Sequence, residues 1–195
     1  MSEREPEAAP PALPMPEFKY ADQTEVRAAQ LMGNEHANIF GNVHGGQVLH
    51  LVDNIAYVCA ARYSGRPAVT ASVDRVDFHE PIHVGELLQL VARIVYVGRS
   101  SMEVEIMVYA EDIPTGRSRL TNSCHFTIVA LKDGRPTPVP RLVCRTREDK
   151  ARYIQARMRR EMGLRYREER DRFLQQFTDL DDSELDALIA EPSRP

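Results

Sequence analysis

From Leu87 to Leu131 the chain keeps a period of two with few interruptions, and this restricts its fold more than any other feature. Over Leu87 to Val97, Leu88, Leu90, Ala92, Ile94 and Tyr96 share one face of an expected strand. Gly98-Arg99-Ser100-Ser101 turns the chain, and Met102 to Ala110 then sets Met102, Val104, Ile106 and Val108 inward against Glu103 and Glu105 outward. Pro114-Thr115-Gly116 makes the next turn. A long strand from Leu120 to Leu131 follows, with Leu120, Cys124, Phe126 and Ile128 in register, and Asp133-Gly134 closes it. Turns this short join antiparallel strands, and a sheet with one apolar face needs a cover.

A helix supplies the cover. From Gln47 to about Tyr63, the residues Val48, Leu51, Val52, Ile55 and Cys59 form an apolar stripe, while His50, Asn54 and Tyr57 fall on the opposite side. Asp53 stands on the border, with Leu49 and Ala56 a turn away, and so lines a cleft rather than open solvent. It is the leading candidate for a catalytic carboxylate. The helix is entered through the polar loop Asn38-Ile39-Phe40-Gly41-Asn42-Val43-His44-Gly45-Gly46. Gly45 and Gly46 allow a ligand close to the backbone, and first-turn N–H groups have no helical partner, so they suit an anion or a polarised carbonyl. Thr24 to Met32 precedes this unit as a first strand, and Ala68 to Phe78 follows it as a strand with Val69, Ala71 and Val73 on one face, ended by Pro81. The fold class is therefore α+β: an antiparallel sheet with one long helix on its apolar face.

Composition sets limits on function. Apolar residues make up 43% of the 195, enough for a core, yet no run approaches the roughly 20 residues of a membrane span. Residues 1 to about 20, rich in Pro, Ala and Glu, read as a disordered arm rather than a signal peptide, which places the chain in the cytoplasm. Cys59, Cys124 and Cys144 are odd in number, widely spaced and set in apolar patterns, as buried thiols rather than a disulfide framework or zinc site. The histidines His50, His79, His83 and His125 show no metal-ligand spacing, so no metal and no cofactor is expected. A formal net charge of −4 offers no general attraction for nucleic acid.

The loop Asn38 to Gly46, followed seven residues later by Asp53, resembles the acyl-CoA thioesterases of the hotdog fold, and most of all their cytosolic acyl-CoA hydrolase group. The likeness extends through Val73-Asp-Arg-Val-Asp-Phe78, Pro81-Ile-His-Val-Gly-Glu86, the Gly98 to Ser101 turn and Thr115-Gly116 to Thr121-Asn122, roughly residues 24 to 143. The resemblance implies a sheet wrapped around the central helix, subunits paired edge to edge as a dimer or a trimer of dimers, and active sites at their interface. It implies hydrolysis of fatty acyl-CoA to free fatty acid and coenzyme A. In it, Asp53 is the helix carboxylate that acts as general base or nucleophile. Asn38 is the loop amide that orients water or substrate across the dimer, and Gly45 and Gly46 mark where backbone N–H groups polarise the thioester carbonyl. A thioester is already electrophilic, so one placed carboxylate and preorganised donors suffice without a serine triad.

Around these residues, Asn42 is an alternative to Asn38 as the working amide, and His44 either bonds substrate or braces the loop. Arg99, with Ser100 and Ser101, offers charge and hydroxyl groups to the phosphates of coenzyme A. Two rival readings are a hotdog hydratase or dehydratase, in which His44 would partner Asp53, and a non-catalytic acyl-CoA sensor. The domains follow as an arm at 1–20, a hotdog domain at 21–143 and a helical extension at 144–195. In the extension Ile154, Met158, Met162, Tyr166, Phe173 and Phe177 recur at helical intervals, with Gly163 marking a bend or break. Its apolar side is expected against another subunit in preference to the sheet's outer face. Leu180 to Ile189 reads as a short acidic helix with Ser183 as its cap.

Overall fold

The computed structural model describes residues 16–74, 76–178 and 180–190. The chain forms two compact units that divide between Tyr153 and Ile154. The described residues of the first form nine strands and the central helix. Their order is β1 (Phe18–Tyr20), β2 (Val26–Leu31), α1 (Gly45–Ser64), β3 (Ala68–Val73), β4 (Asp77–Phe78), β5 (Leu87–Val97), β6 (Ser101–Asp112), β7 (Arg117–Lys132), β8 (Arg135–Pro136) and β9 (Arg141–Val143), after which α2 (Arg147–Thr178) begins.

The main sheet runs β2-β5-β6-β7-β3, all antiparallel, with β4 and β8 also paired to β7. Five strands spaced about 4.8 Å apart are roughly twice as wide as a helix, yet α1 packs against every one of them. The sheet is therefore curled around α1, as a hotdog fold requires. Val48, Val52, Ile55, Ala56, Cys59 and Ala60 form the helix side of the core, facing the alternating apolar residues of β5, β6 and β7. His44 starts the helix and Gly65 stops it: Gly65 sits at φ +62, where a Cβ is unfavourable, and its N–H donates to Ala61 O at 2.8 Å.

Three bulges alter the faces expected from alternation. In β5 the register with β6 shifts between Ile94 and Tyr96, so Val95 is an extra residue. Tyr96 consequently leaves the face of Ile94, and Val97 packs on the core in its place. In β7 the shift falls at Thr121, opposite Val108/Tyr109, which moves Leu120 off the face of Cys124 and leaves it partly exposed. In β3 the shift falls at Ala71, so Val69 and Val73 are no longer related by simple alternation with it. The strand expected from Ala68 to Phe78 is two strands, parted where the Asp74 N–H donates to His125 O.

The outer face of the sheet is covered where β6 was expected to meet solvent. Glu103 is buried, Arg152 Nε of α2 stands 3.2 Å from Glu105, and the rings of Tyr96 and Tyr153 lie 5.1 Å apart. Burial pushes the Glu105 carboxyl upward, but His125, Arg152 and Arg93 outweigh it and hold the group below the usual carboxylate range. The first turns of α2 thus lie on this sheet. Residues 1–15 of the expected arm lie outside the described residues, and the stretch following them is ordered: β1 pairs in parallel with β9.

In the second unit α2 continues through Gly163 without a break. One glycine costs a helix interior only about 1 kcal/mol, too little to part a long run of Arg, Glu and Met. Ile154, Met158, Met162, Tyr166 and Phe173 are exposed, and Phe173 stacks edge-on against Phe177 with centroids 4.5 Å apart. The last helix, α3 (Asp182–Ala190), is capped by Asp181 rather than Ser183. Asp181 Oδ1 accepts the Glu184 N–H at 2.9 Å, and Glu184 Oε2 accepts the Asp181 N–H at 2.9 Å.

Candidate active site

The loop ahead of α1 is shaped by its own side chains. Asn38 Oδ1 accepts the N–H groups of Phe40 at 2.8 Å and Asn42 at 3.2 Å, an Asx-type turn that Gly41 completes at φ +79. The carbonyl oxygen of Asn38 is thus engaged within the loop, and the residue lines the groove beside it. The loop is then stitched to the segment before β5: the Val43 N–H donates to Ile82 O at 2.8 Å, and His83 Nδ1–H donates to Asn42 Oδ1 at 2.9 Å. Asn42 is thereby committed to holding the loop.

That neighbouring segment is fixed in turn by Arg119 of β7. Its guanidinium forms a fork on Glu86, with Nη1 2.6 Å from Oε1 and Nη2 3.0 Å from Oε2. Nε lies 2.9 Å from Glu80 Oε2, and Nη2 also donates to Pro81 O at 2.7 Å. Glu86 accepts the His83 N–H as well, at 2.8 Å. Burial raises the Glu86 carboxyl, but its bonds to Arg119 and to the His83 backbone prevail and hold it below the ordinary range.

Between these walls is a groove of about 360 Å3 whose lining includes Asn38, Asn42, Gly45, Phe78 and His79. At the helix entry His44 Nδ1 accepts the Gly46 N–H at 2.9 Å, so the neutral ring carries its proton on Nε2. A Cβ on Gly46 would lie 3.1 Å from that ring nitrogen, a tight contact that the absence of a side chain avoids. Of the two donors expected from the glycine pair, Gly46 is engaged within the chain. The Gly45 N–H has no partner among the described residues and lines the groove.

Asp53 stands eight residues after Gly45, roughly 12 Å along the helix, and outside this groove. It is exposed, and its Oδ1 accepts the Thr70 hydroxyl of edge strand β3 at 2.7 Å. Thr70 was not singled out in the sequence; the signal available was a hydroxyl on a strand beside the helix, legible only once β3 is known to lie there. Within one chain, then, the fold brings Asn38, Asn42 and Gly45 to a single groove and leaves the carboxylate elsewhere.

Arg99, Ser100 and Ser101 occupy the β5–β6 turn, the far end of an eleven-residue strand from the Asn38 loop, roughly 35 Å away. The backbone of the turn is pinned, since Ser100 O accepts from Ala130 N–H at 3.0 Å and Arg99 O from Val139 N–H at 3.1 Å. The Arg99 side chain is exposed, with no ion pair among the described residues. Cys59 and Cys124 are buried, and burial pushes both thiols up to about 12, so neither is a nucleophile. Among the described residues no cluster of His, Cys, Asp or Glu side chains could hold a metal ion, and no helix is long and apolar enough to cross a membrane.

The family model described as Thioesterase superfamily matches residues 40–117. Protein VdlD of Helicobacter pylori is 46% identical over 145 residues, covering 74% of this chain and 83% of that protein. The uncharacterized acyl-CoA thioester hydrolase YkhA of Bacillus subtilis is 38% identical over 139 residues, 69% of this chain and 78% of that one. The cytosolic acyl coenzyme A thioester hydrolase of Rattus norvegicus is 33% identical over 147 residues, but these span only 39% of its length.

Among solved structures, acyl-CoA hydrolase from Staphylococcus aureus in complex with butyryl coenzyme A, coenzyme A and coenzyme A disulfide superposes with a TM-score of 0.74 at 30% identity, over 83% of this chain and 99% of that one. A hexameric acyl-CoA thioesterase gives 0.74 at 32% identity, over 77% and 97%. The Staphylococcus aureus enzyme has also been solved with an asparagine, an aspartate or a threonine changed to alanine, positions fifteen and then seventeen residues apart. By its curled sheet, its central helix and these likenesses along most of its length, the chain belongs to the hotdog-fold acyl-CoA thioester hydrolases of the thioesterase superfamily.

Proposed function

We propose that the protein hydrolyses fatty acyl-CoA to free fatty acid and coenzyme A at composite sites, each shared by two copies of the chain. The observation that carries this reading is the separation of Asp53 from the groove that holds Asn38 and the free Gly45 N–H. Pairing about a two-fold axis places the carboxylate of one copy at the groove of the other, and symmetry then makes two equal sites. The exposed edge strand β3, which carries Thr70 and has only β7 as a main-sheet neighbour, is a natural place for copies to meet. The hexameric relative is consistent with three such dimers.

In this site the thioester oxygen lies against the Gly45 N–H, whose position at a helix start favours the negative charge that develops there. Asn38 offers its amide N–H to the substrate or the attacking water. Asp53 acts as general base, because the Thr70 hydroxyl holds one carboxylate oxygen and directs the other toward the water. Asn38, Asp53 and Thr70 repeat the fifteen- and seventeen-residue separations of the altered positions in the Staphylococcus aureus enzyme, which supports these roles. His44 caps α1 and is not available to partner Asp53, which weighs against hydratase chemistry. Arg99, Ser100 and Ser101, too far from the Asn38 loop of their own chain to share its substrate, would offer a pinned turn and an exposed guanidinium to the phosphates of a coenzyme A whose thioester lies in the other copy's groove. The site residues fall between 38 and 101, so the 144–195 extension serves assembly rather than chemistry, and the reaction is cytoplasmic, as in the mammalian relative's name.

Thiol release from acyl-CoA tests the reading. The protein should turn over repeatedly, and Asp53→Ala should lower kcat by about 10²–10⁴-fold while still binding substrate. Stoichiometric binding without turnover would replace hydrolysis with ligand sensing.

A further inference from the structure

The loop that carries Asn38 also carries the two most exposed large apolar side chains among the described residues of the first unit, Ile39 at 93% and Phe40 at 82%. They are not there through slackness of the chain. The Asn38 N–H donates to Asn42 O, the Gly41 N–H donates to Asn38 O at 3.0 Å, and Asn38 Oδ1 holds the N–H of Phe40 itself. The turn is closed on both sides, and its apolar tip is held out in water, where it gains nothing.

This tip is one and two residues from the amide that the proposed site uses, so wherever Asn38 works, Ile39 and Phe40 go with it. The two elements that carry Asp53 and Thr70 also leave large apolar side chains uncovered. Val73, directly opposite core residue Phe126, is 47% exposed, and Tyr57, one turn beyond Asp53 on α1, is 46% exposed. We infer that Ile39 and Phe40 of one copy close over the acyl chain bound beside Asp53 of the other, forming its apolar wall and setting the preference for chain length. The inference rests on the shared-site reading above. Residues one and two positions from Asn38 are within reach of an acyl chain whose thioester is held there, and each methylene covered adds to binding in proportion to the area removed from water.

The test is thiol release from butyryl-CoA and palmitoyl-CoA by the full-length protein and its Phe40→Ala, Ile39→Ala and Phe40→Leu variants, with assembly state followed by sedimentation. Phe40→Ala should lower kcat/KM for palmitoyl-CoA at least about tenfold more than for butyryl-CoA, chiefly through KM, the discrimination typical of an apolar pocket. Ile39→Ala should move it the same way, and Phe40→Leu, which keeps apolar bulk, should restore most of the difference. Equal loss on both substrates would overturn the inference in favour of a tip that only positions Asn38. An unchanged ratio with weakened assembly would overturn it in favour of subunit contact. Asp53→Ala is run beside them: full turnover there would refute the shared site itself, whereas its inactivity with an unchanged ratio in Phe40→Ala would refute the inference alone.

Discussion

Replacing Thr70 by valine removes one hydrogen bond and almost nothing else. The two side chains have the same shape, and the position is on an exposed edge strand, so the fold tolerates the change. What is lost is the 2.7 Å bond from the Thr70 hydroxyl to Asp53 Oδ1. A hydrogen bond to a charged group contributes about 1.5–3 kcal/mol when shielded from water, as it would be between two subunits. If that bond orients the base for attack, its loss appears in the barrier, and 1.4 kcal/mol per factor of ten gives a fall in kcat of roughly 10–100-fold. Initial rates of thiol release over a range of acyl-CoA concentrations separate the parameters: kcat should fall while KM changes little, because Thr70 does not touch the substrate. Thr70→Ser keeps the hydroxyl and should restore most of the rate. A valine variant within twofold of the parent kcat would refute the claim that Thr70 aims the carboxylate.

Glu86→Gln should lower stability by about 2 kcal/mol, less than the 3–5 kcal/mol of a fully buried pair because Arg119 is partly exposed. This corresponds to a Tm drop of roughly 4–8 °C. The Glu86 carboxyl is held below its ordinary value, so its stabilisation is present above the unfolded-state range near pH 4 and is lost as pH falls through the folded value. The Tm difference between parent and variant should therefore shrink on acidification, and a difference constant from pH 7 to pH 3 would contradict this. A thiol reagent should find at most one of the three cysteines in the native protein, Cys144, because burial holds Cys59 and Cys124 near 12; all three should react in denaturant, and rapid native reaction of two would show an open core. Gly163→Ala should raise the stability of α2 by about 0.5–1 kcal/mol, measured as helical circular dichroism on heating, since a Cβ there meets nothing within 4 Å; a loss of helix would mean that the position needs glycine.

What was legible in the sequence is what local pattern encodes. The alternation of β5, β6 and β7, the stripe on α1 and the glycine-bearing loop each state their own structure; their order implies an α+β domain, and the resemblance carried by the loop motif adds the hotdog arrangement. Tyr96 and Leu120 were misplaced because a bulge inserts one residue without changing composition, so alternation carries straight through it. The cover over Glu103 was missed because it depends on α2, far along the chain. Ser183 was read as the cap of α3, but Asp181 takes that place by pairing with Glu184 in a capping box. The roles proposed for Asp53, Asn38 and Gly45 come from the motif and its resemblance. The engagement of Gly46 by His44, the bracing role of Asn42 and the link from Thr70 to Asp53 depend on geometry that spacing does not specify.

Mixing two inactive variants tests the shared site most directly. Asp53→Ala keeps Asn38, and Asn38→Ala keeps Asp53, so each should be inactive alone. When the two are co-expressed or exchanged into mixed assemblies, half of the randomly formed dimers contain both variants, and one of the two sites in each is intact. Activity should return to about a quarter of the parent value. If the mixture is as inactive as its components although the subunits have exchanged, each site draws its asparagine and aspartate from one chain, and the composite reading is wrong.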